Sequence, residues 1–61
     1  MSGMKIVVTG AAGRMGQALI RAIAQSDGVS LHAAVERKGA LQLGADAGET
    51  AGAGKLGIAI T

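Results

Sequence analysis

A cluster of glycines between a strand pattern and a helix pattern constrains this sequence more than any other feature. Residues 4–9, MKIVVT, form a nearly continuous apolar run of the kind found in buried parallel strands. The next seven residues, GAAGRMG, carry glycine at positions 10, 13 and 16, and a helical pattern starts at Arg14. A strand that ends in a glycine turn and passes directly into a helix is the context in which such glycines predict dinucleotide binding.

The three glycines have different predicted roles. Gly10 permits the sharp turn, Gly13 lets the backbone approach a pyrophosphate, and Gly16 lets the helix pack closely on the strand. No side chain from residue 10 to residue 13 can cap the first helical turn, and Arg14 replaces the acidic residue that would oppose the helix dipole. An uncapped helix start beside an arginine predicts an anion site. A tight strand-to-helix turn without a ligand is the alternative.

The remaining sequence predicts one helix, a second strand, a long connection and the start of a third strand. Residues 29–35 alternate as a strand does, and residues 58–61 resume a strand pattern. Residues 38–57 hold six glycines and predict a loop, in which Asp46 and Glu49 could cap one short helical turn. The helix is predicted from residue 14 to about residue 26. Its apolar stripe is formed by Met15, Ala18, Leu19, Ala22 and Ile23 and is extended on one side by Gly16 and Ile20.

Two charged residues end the second predicted strand. Glu36 lies 20 residues beyond Gly16, at the position where a carboxylate accepts hydrogen bonds from the adenosine ribose hydroxyls. Arg37 follows directly, and an arginine at this place accommodates a 2′-phosphate. The pair therefore predicts that both NADH and NADPH are accepted as cofactors. Taken alone, without that spacing, the two residues would favour a solvated charge pair.

Composition excludes several classes of function. The chain has 61 residues, enough for one small domain, and its net charge of +2 comes from six unclustered lysines and arginines. Without an aromatic side chain to stack on a base, nucleic-acid binding is not expected. No apolar run approaches the ~20 residues of a membrane span, so a cytoplasmic protein without a membrane partner is expected. The lone His32 and the carboxylate pair Asp46 and Glu49 predict neither a catalytic nor a metal site.

Three stretches of the sequence together resemble the amino-terminal part of the dihydrodipicolinate reductase (4-hydroxy-tetrahydrodipicolinate reductase) family. They are the turn GAAGRMG, the pair Glu36 and Arg37, and the segment LGADAGE at residues 43–49 followed by AG at residues 51–52. The last segment distinguishes this family among Rossmann enzymes, and the resemblance extends over residues 4–61. The family reduces a cyclic imine-type intermediate with NADH or NADPH on the route to diaminopimelate and lysine.

That resemblance implies a role for each cofactor-binding residue. Glu36 would hold the adenosine ribose and Arg37 the 2′-phosphate of NADPH. The family's paired histidines and lysine belong to a carboxyl-terminal domain that this chain lacks, so no catalytic residue is expected here. A homo-oligomer, a tetramer in the family, is also implied. The residues implied to wrap the pyrophosphate are Gly10, Ala11, Ala12, Gly13, Arg14 and Met15.

The expected fold class is α/β. We predict a truncated, partial Rossmann fold with the order β-α-β-loop-β and a parallel sheet in strand order 3-2-1. Residues 1–61 would form the amino-terminal half of a dinucleotide-binding domain, with the catalytic domain absent. One alternative is a short-chain dehydrogenase or epimerase, whose turn T-G-x-x-G-x-x-G is similar and whose serine, tyrosine and lysine would lie beyond residue 61. The other is a non-catalytic βαβ fragment with one bare sheet face.

Overall fold

The computed structural model shows two parallel strands joined through a helix, followed by a loop region with a second, short helix. Strand β1 (Met4–Thr9) and strand β2 (Val29–Val35) pair from Met4 opposite Val29 to Thr9 opposite Val35, with one irregularity after Ile6. The predicted α/β class and parallel βαβ order are confirmed. The structure describes residues 3–61, so residues 1 and 2 of the predicted domain lie outside it. The elements are β1 (Met4–Thr9), α1 (Arg14–Ala24), β2 (Val29–Val35) and α2 (Ala47–Ala51).

The rotation of α1 differs from the predicted apolar stripe. Met15 and Leu19 were expected to face the core, but they expose 76% and 49% of their surface. The buried side of the helix is formed by Gly16, Ile20 and Ile23. Gly16 lies so close to the preceding turn that even a single Cβ would overlap backbone atoms there. With Gly16 against the turn, Met15 and Leu19 lie on the outward side of the helix.

The core is a thin layer of small aliphatic side chains between α1, the sheet and α2. Only one side of β1 is covered, because Val8 is buried while Val7 exposes 52% of its surface. The apolar run of β1 predicts cover on both faces, and within residues 3–61 that prediction is wrong. The sheet has a bare face, as the fragment alternative anticipates. The buried cluster consists of Val8, Ala11, Ile20, Ile23, Leu31, Ala34, Ala47, Ala51 and Ile60.

The long connection after β2 is more ordered than a loop, because it folds around α2. As predicted, Asp46 caps this short helix, accepting a hydrogen bond from the Glu49 N–H at 3.0 Å. Gly52 ends the helix with a φ of +78°, a backbone conformation that favours glycine. The guanidinium of Arg21 on α1 donates to the carbonyl of Ala51 at 2.9 Å and ties the two helices together.

The predicted third strand is represented by one bridge. Ile60 pairs in parallel with Ala34, the β2 residue whose other neighbour is Val8 of β1, so Ile60 and β1 lie on opposite edges of β2. The Thr61 N–H donates to the Ala34 carbonyl at 2.9 Å, and the Thr61 carbonyl accepts the Glu36 N–H at 2.8 Å. A single bridge is not a full strand, so the order 3-2-1 stays a prediction.

Candidate functional site

A polar cleft opens at the carboxyl ends of β1 and β2, where the glycine turn faces the end of β2. Its volume is about 410 Å³. Ligands of open parallel α/β sheets bind outside the carboxyl ends of the strands, so its position in the fold is that of a ligand site. We call it the turn cleft, and the residues that line it are Gly10, Ala12, Gly13, Glu36, Arg37, Ala40 and Gln42.

The turn that forms one wall is held by its own backbone. Gly10 adopts a φ of +64°, which a residue with a side chain rarely does. The Gly13 N–H donates to the Gly10 carbonyl at 3.0 Å, and the Ala11 N–H donates to the Val35 carbonyl at 3.1 Å. The second of these bonds joins the turn to the end of β2. The turn is therefore shaped without help from a ligand.

The start of α1 leaves backbone donors at the mouth of this turn. Gly13 is the N-cap and supplies no side-chain acceptor, and the first helical turn has no acidic residue. Among the described residues, no side chain caps this helix. The first N–H groups of an α-helix have no partner inside the helix, and the helix dipole makes this end positive. With the exposed Arg14 beside it, this end provides the donors and the field that an anion needs.

Glu36 connects the two walls of the cleft. One oxygen of its carboxylate accepts the Arg37 N–H at 2.8 Å, and the other accepts the Ala12 N–H of the glycine turn at 2.9 Å. These two hydrogen bonds, the Arg37 bond first, lower the pKa of Glu36 below its ordinary value, against a smaller effect of desolvation. The group is therefore ionised at neutral pH. Since a carboxylate offers about four acceptor positions, about two remain for a ligand.

The structure brings most of the predicted site residues together. Ala11 is fully buried behind the turn and does not line the cleft. Arg14 and Met15 are exposed on the first turn of α1, next to the cleft and outside its lining. They can therefore contact a ligand only where it extends over the helix start. The five predicted residues that line the cleft are Gly10, Ala12, Gly13, Glu36 and Arg37.

Two lining residues, Ala40 and Gln42, were missed by the sequence analysis. Both belong to the connection after β2, which runs past the cleft in successive turns. The Arg37 carbonyl accepts the Ala40 N–H at 3.2 Å, and the Gln42 carbonyl accepts the Ala45 N–H at 3.0 Å. Such turns follow no periodic pattern, so nothing in the sequence indicated that this part of the loop returns to the cleft.

The carboxylate of Asp46 is fully engaged in holding the loop. Besides capping α2, it accepts the N–H groups of Leu56, Gly57 and Ile58 at 2.9, 2.7 and 3.1 Å. These hydrogen bonds, the Leu56 bond foremost, lower its pKa despite desolvation. With four backbone donors on its two oxygens, Asp46 has a structural role. Residues 43–49, the segment that most distinguishes the family in sequence, therefore stabilise the loop conformation and do not line the cleft.

Two further depressions in the described part of the chain are mainly apolar. The larger lies between β1 and α1, has a volume of about 400 Å³ and is lined mainly by aliphatic side chains such as Val7 and Leu19. Residues 3–61 contain no group of three His, Cys, Asp or Glu side chains placed to share a metal ion. Within the same residues, neither helix has the length and apolar character needed to cross a membrane.

A parallel βαβ unit with a glycine turn, an uncapped helix start and a carboxylate at the end of the second strand defines a class of protein. It is the class of Rossmann-type nucleotide-binding proteins. The particular family follows from comparison, because the family model described as dihydrodipicolinate reductase, N-terminus, matches residues 4–61. The chain belongs to this family. The predicted resemblance is confirmed, and the short-chain dehydrogenase alternative is not supported.

Individual relatives agree with the family match. The 4-hydroxy-tetrahydrodipicolinate reductase of Agrobacterium fabrum is 68% identical over 60 residues, which are 98% of this chain and 22% of the relative. That of Rhizobium meliloti is 64% identical over 58 residues, 95% of this chain and 21% of the relative. That of Rhizobium rhizogenes is 62% identical over the same share of each. The chain thus spans about a fifth of the length of these relatives.

Proposed function

We propose that this chain forms the adenosine and pyrophosphate side of the NADH or NADPH site of a 4-hydroxy-tetrahydrodipicolinate reductase. One observation carries the proposal: the ionised Glu36 carboxylate accepts the Ala12 N–H of the glycine turn at 2.9 Å. This bond supports the proposal, because it holds an ionised carboxylate opposite the glycine turn in one cleft. The names of the relatives supply the reaction.

The pyrophosphate would lie over the start of α1. The Ala11 and Gly13 N–H groups already have partners in the chain, and Ala12 donates to Glu36. The donors that remain for phosphate oxygens are therefore the N–H groups of the first helical turn, at Arg14 and Met15. The close approach needed there is possible because Gly13 has no side chain.

The ribose of adenosine would donate its hydroxyls to the free acceptor positions of Glu36. An ionised carboxylate repels a 2′-phosphate, and a neighbouring arginine offsets this repulsion with a charged, forked donor. Arg37 lines the same cleft beside Glu36 and is exposed. This pairing supports acceptance of both cofactors, with Glu36 serving the 2′-hydroxyl of NADH and Arg37 the 2′-phosphate of NADPH.

The cofactor would supply the hydride, and the residues of this chain would bind and orient it. None of the seven residues of the turn cleft carries an acid or base that the proposal needs for proton transfer. The substrate would be 4-hydroxy-tetrahydrodipicolinate and the product tetrahydrodipicolinate, on the route to diaminopimelate and lysine. The family resemblance also supports a homo-oligomer, a tetramer, as the active form.

Cofactor titration tests this proposal, using the quenching or enhancement of reduced nicotinamide fluorescence in the purified protein that carries this chain. We expect both NADH and NADPH to bind. Arg37→Ala should weaken NADPH about tenfold and leave NADH within about twofold, because only NADPH has the 2′-phosphate. The matched control is Lys38→Ala, which removes an adjacent exposed cation outside the cleft lining.

Two outcomes would contradict different parts of the proposal. Failure of the unaltered protein to bind either dinucleotide would overturn the cofactor site as a whole. Equal loss of NADH and NADPH affinity in Arg37→Ala would overturn the role of Arg37 alone. Reduction of 4-hydroxy-tetrahydrodipicolinate by the same preparation, followed as loss of NADH absorbance, tests the reaction itself.

A further inference from the structure

The turn cleft contains one polar side chain to which the proposed function assigns no role. Gln42 is half-buried in the cleft wall, in the same lining as Glu36 and Arg37. Its neighbour in that lining, Ala40, is buried and adds an apolar surface. A carboxamide beside an aliphatic surface, at the adenosine side of the cleft, is suited to a flat heterocycle that carries polar edge atoms.

The loop backbone holds Gln42 in a defined position. The Gln42 carbonyl accepts the Ala45 N–H at 3.0 Å, and the Ala40 carbonyl accepts the Leu43 N–H at 3.3 Å. Directly after these turns, Asp46 fixes the loop through its four backbone hydrogen bonds. Gln42 therefore lies at the cleft on a loop segment whose conformation is fixed by backbone hydrogen bonds.

The geometry of a dinucleotide places its base near this residue. When the ribose hydroxyls lie on Glu36 and the pyrophosphate over the start of α1, the base projects from the ribose on the side away from the phosphates. That side of the cleft is formed by the residues after Glu36, which include Gln42. The chain has no aromatic side chain to stack on the base, and the contacts that Gln42 and Ala40 offer to it are edge hydrogen bonds and an aliphatic surface.

We propose that Gln42 recognises the adenine base of the cofactor through a paired hydrogen bond to its N6 and N7 edge. The carboxamide oxygen accepts from the exocyclic N6 amino group, and the carboxamide nitrogen donates to N7, a pairing that glutamine makes with adenine elsewhere. This role rests on the proposed cofactor site. It makes Gln42 a specificity-determining residue for the adenine base.

Comparison of NADH with reduced nicotinamide hypoxanthine dinucleotide tests this role. Hypoxanthine replaces the N6 amino group with an oxygen, so its edge offers two acceptors where adenine offers a donor and an acceptor. We expect the unaltered protein to bind NADH about tenfold more tightly than the analogue, the discrimination of one good paired contact. In Gln42→Leu the NADH affinity should fall about tenfold and this preference should disappear.

Two further variants separate recognition from structural support. Gln42→Glu keeps the length and the acceptor but loses the donor, so it should retain a preference for NADH that Gln42→Leu has lost. A residue that only supported the fold would not move this ratio. Leu41→Ala is the control, since Leu41 exposes 96% of its surface in the same loop and does not line the cleft. It should leave both affinities unchanged.

Several results would overturn the inference and leave the cofactor site standing. One is equal binding of the two dinucleotides by the unaltered protein. Another is an unchanged preference in Gln42→Leu. A third is a loss confined to NADPH, because Gln42 would then serve the 2′-phosphate and not the base. If neither dinucleotide bound the unaltered protein, the proposed function itself would fail, and that result is distinct from the other three.

Discussion

The two helices of this chain begin in opposite ways. α1 starts at Gly13, which supplies no side-chain cap, and has no acidic residue in its first turn. α2 starts at Asp46, whose carboxylate caps it, and has Glu49 in its first turn. Because unpartnered N–H groups and a positive helix end attract an anion, the start of α1 is open to a ligand. The start of α2 is already satisfied by the chain.

This difference shows that glycine content alone does not mark a ligand site. Both helix starts lie in segments rich in glycine and alanine. What separates them is whether the chain provides its own acceptor. At α2 a single carboxylate accepts four backbone N–H groups, one of them in the first helical turn. Near α1 the Glu36 carboxylate accepts the N–H groups of Ala12 and Arg37, neither of which belongs to the helix. The helix end left uncapped is the one expected to bind phosphate.

Giving α1 the cap that α2 has should abolish its ligand role. In Gly13→Asp the new carboxylate would cap the first helical turn and repel the pyrophosphate. The backbone allows the change, since Gly13 has φ −78° and ψ 169°, and a Cβ there would approach only the Gly10 carbonyl, at 3.4 Å. We expect NADH affinity to fall about a hundredfold or more. The free energy of unfolding, measured in urea, should stay the same or rise by a few tenths of a kcal/mol.

The control for this substitution is Gly13→Asn, which has the same shape and no charge. The Asn variant should lose less affinity than the Asp variant, and the difference between them measures the repulsion of the charge. Binding of NADH by Gly13→Asp with the affinity of the unaltered protein would show that the open helix end is not the phosphate site.

A second pair of substitutions separates effects on NADH binding from effects on the stability of the fold. A Cβ on Gly16 would overlap the Gly10 carbonyl and lie 2.8 Å from the Ala11 Cα. A Cβ on Gly48 would overlap the Gly54 carbonyl in the α2 region in the same manner. Gly16→Ala and Gly48→Ala should each lower the free energy of unfolding by about 1–3 kcal/mol, the range for overpacking, as measured by urea denaturation. Only Gly16→Ala should also weaken NADH binding, because it displaces the turn.

Ala18→Ser serves as the neutral comparison, since this position on α1 is exposed and does not line the cleft. The distinction between the two regions would be lost if Gly48→Ala weakened NADH in the folded protein as much as Gly16→Ala does. That result would mean that the α2 region shapes the cleft directly.

The parts of the fold that sequence predicts well are governed by local rules. The apolar run of β1, the glycines of the turn and the strand-forming residues of β2 each act over a few residues, and β1, α1 and β2 formed where expected. The predicted alternation of β2 is wrong, because the pairing with β1 shifts register after Ile6, so that Leu31 and Ala34 are both buried and Val35 is exposed. The cap of α2 was predicted for the same reason, since Asp46 and Glu49 are three residues apart. Five of the eight predicted site residues line the turn cleft and the other three do not, and their binding of a cofactor stays a prediction.

The parts that sequence reasoning missed depend on contacts between distant residues. A helical pattern alone reveals neither the close contact of Gly16 with the turn nor the exposure of Met15 and Leu19. The bonds from Asp46 to residues 56–58 span 10–12 residues of loop. The same folding of the loop brings Gln42 to the cleft. No periodicity or short motif encodes these arrangements.

The smallest expected effect concerns the start of α2, which Asp46 caps. In the unaltered protein, four backbone N–H groups share the two carboxylate oxygens of Asp46. Asp46→Asn leaves them a single carboxamide oxygen as acceptor. Since asparagine is itself a good N-cap, this oxygen should stay with the Glu49 N–H, leaving the N–H groups of Gly57 and Ile58 facing an amide that cannot accept. Hydrogen exchange should show faster exchange at those two amides with Glu49 little changed. The Tm should fall by about 2–6 °C, and NADH affinity should stay within about twofold.

Acid titration isolates the contribution of the Asp46 charge. Because folding lowers the pKa of Asp46 below its ordinary value of 3.8, the carboxylate stabilises the fold above that pH and loses this contribution as the pH falls through its lowered pKa. The Tm difference between the unaltered protein and Asp46→Asn should therefore be largest near neutral pH and shrink below about pH 4. Asp27→Asn, which removes the charge of another exposed aspartate, provides the control. A Tm difference that persisted unchanged into strong acid would mean that the charge of Asp46 does not contribute to stability. The start of α2 would then be stabilised by packing.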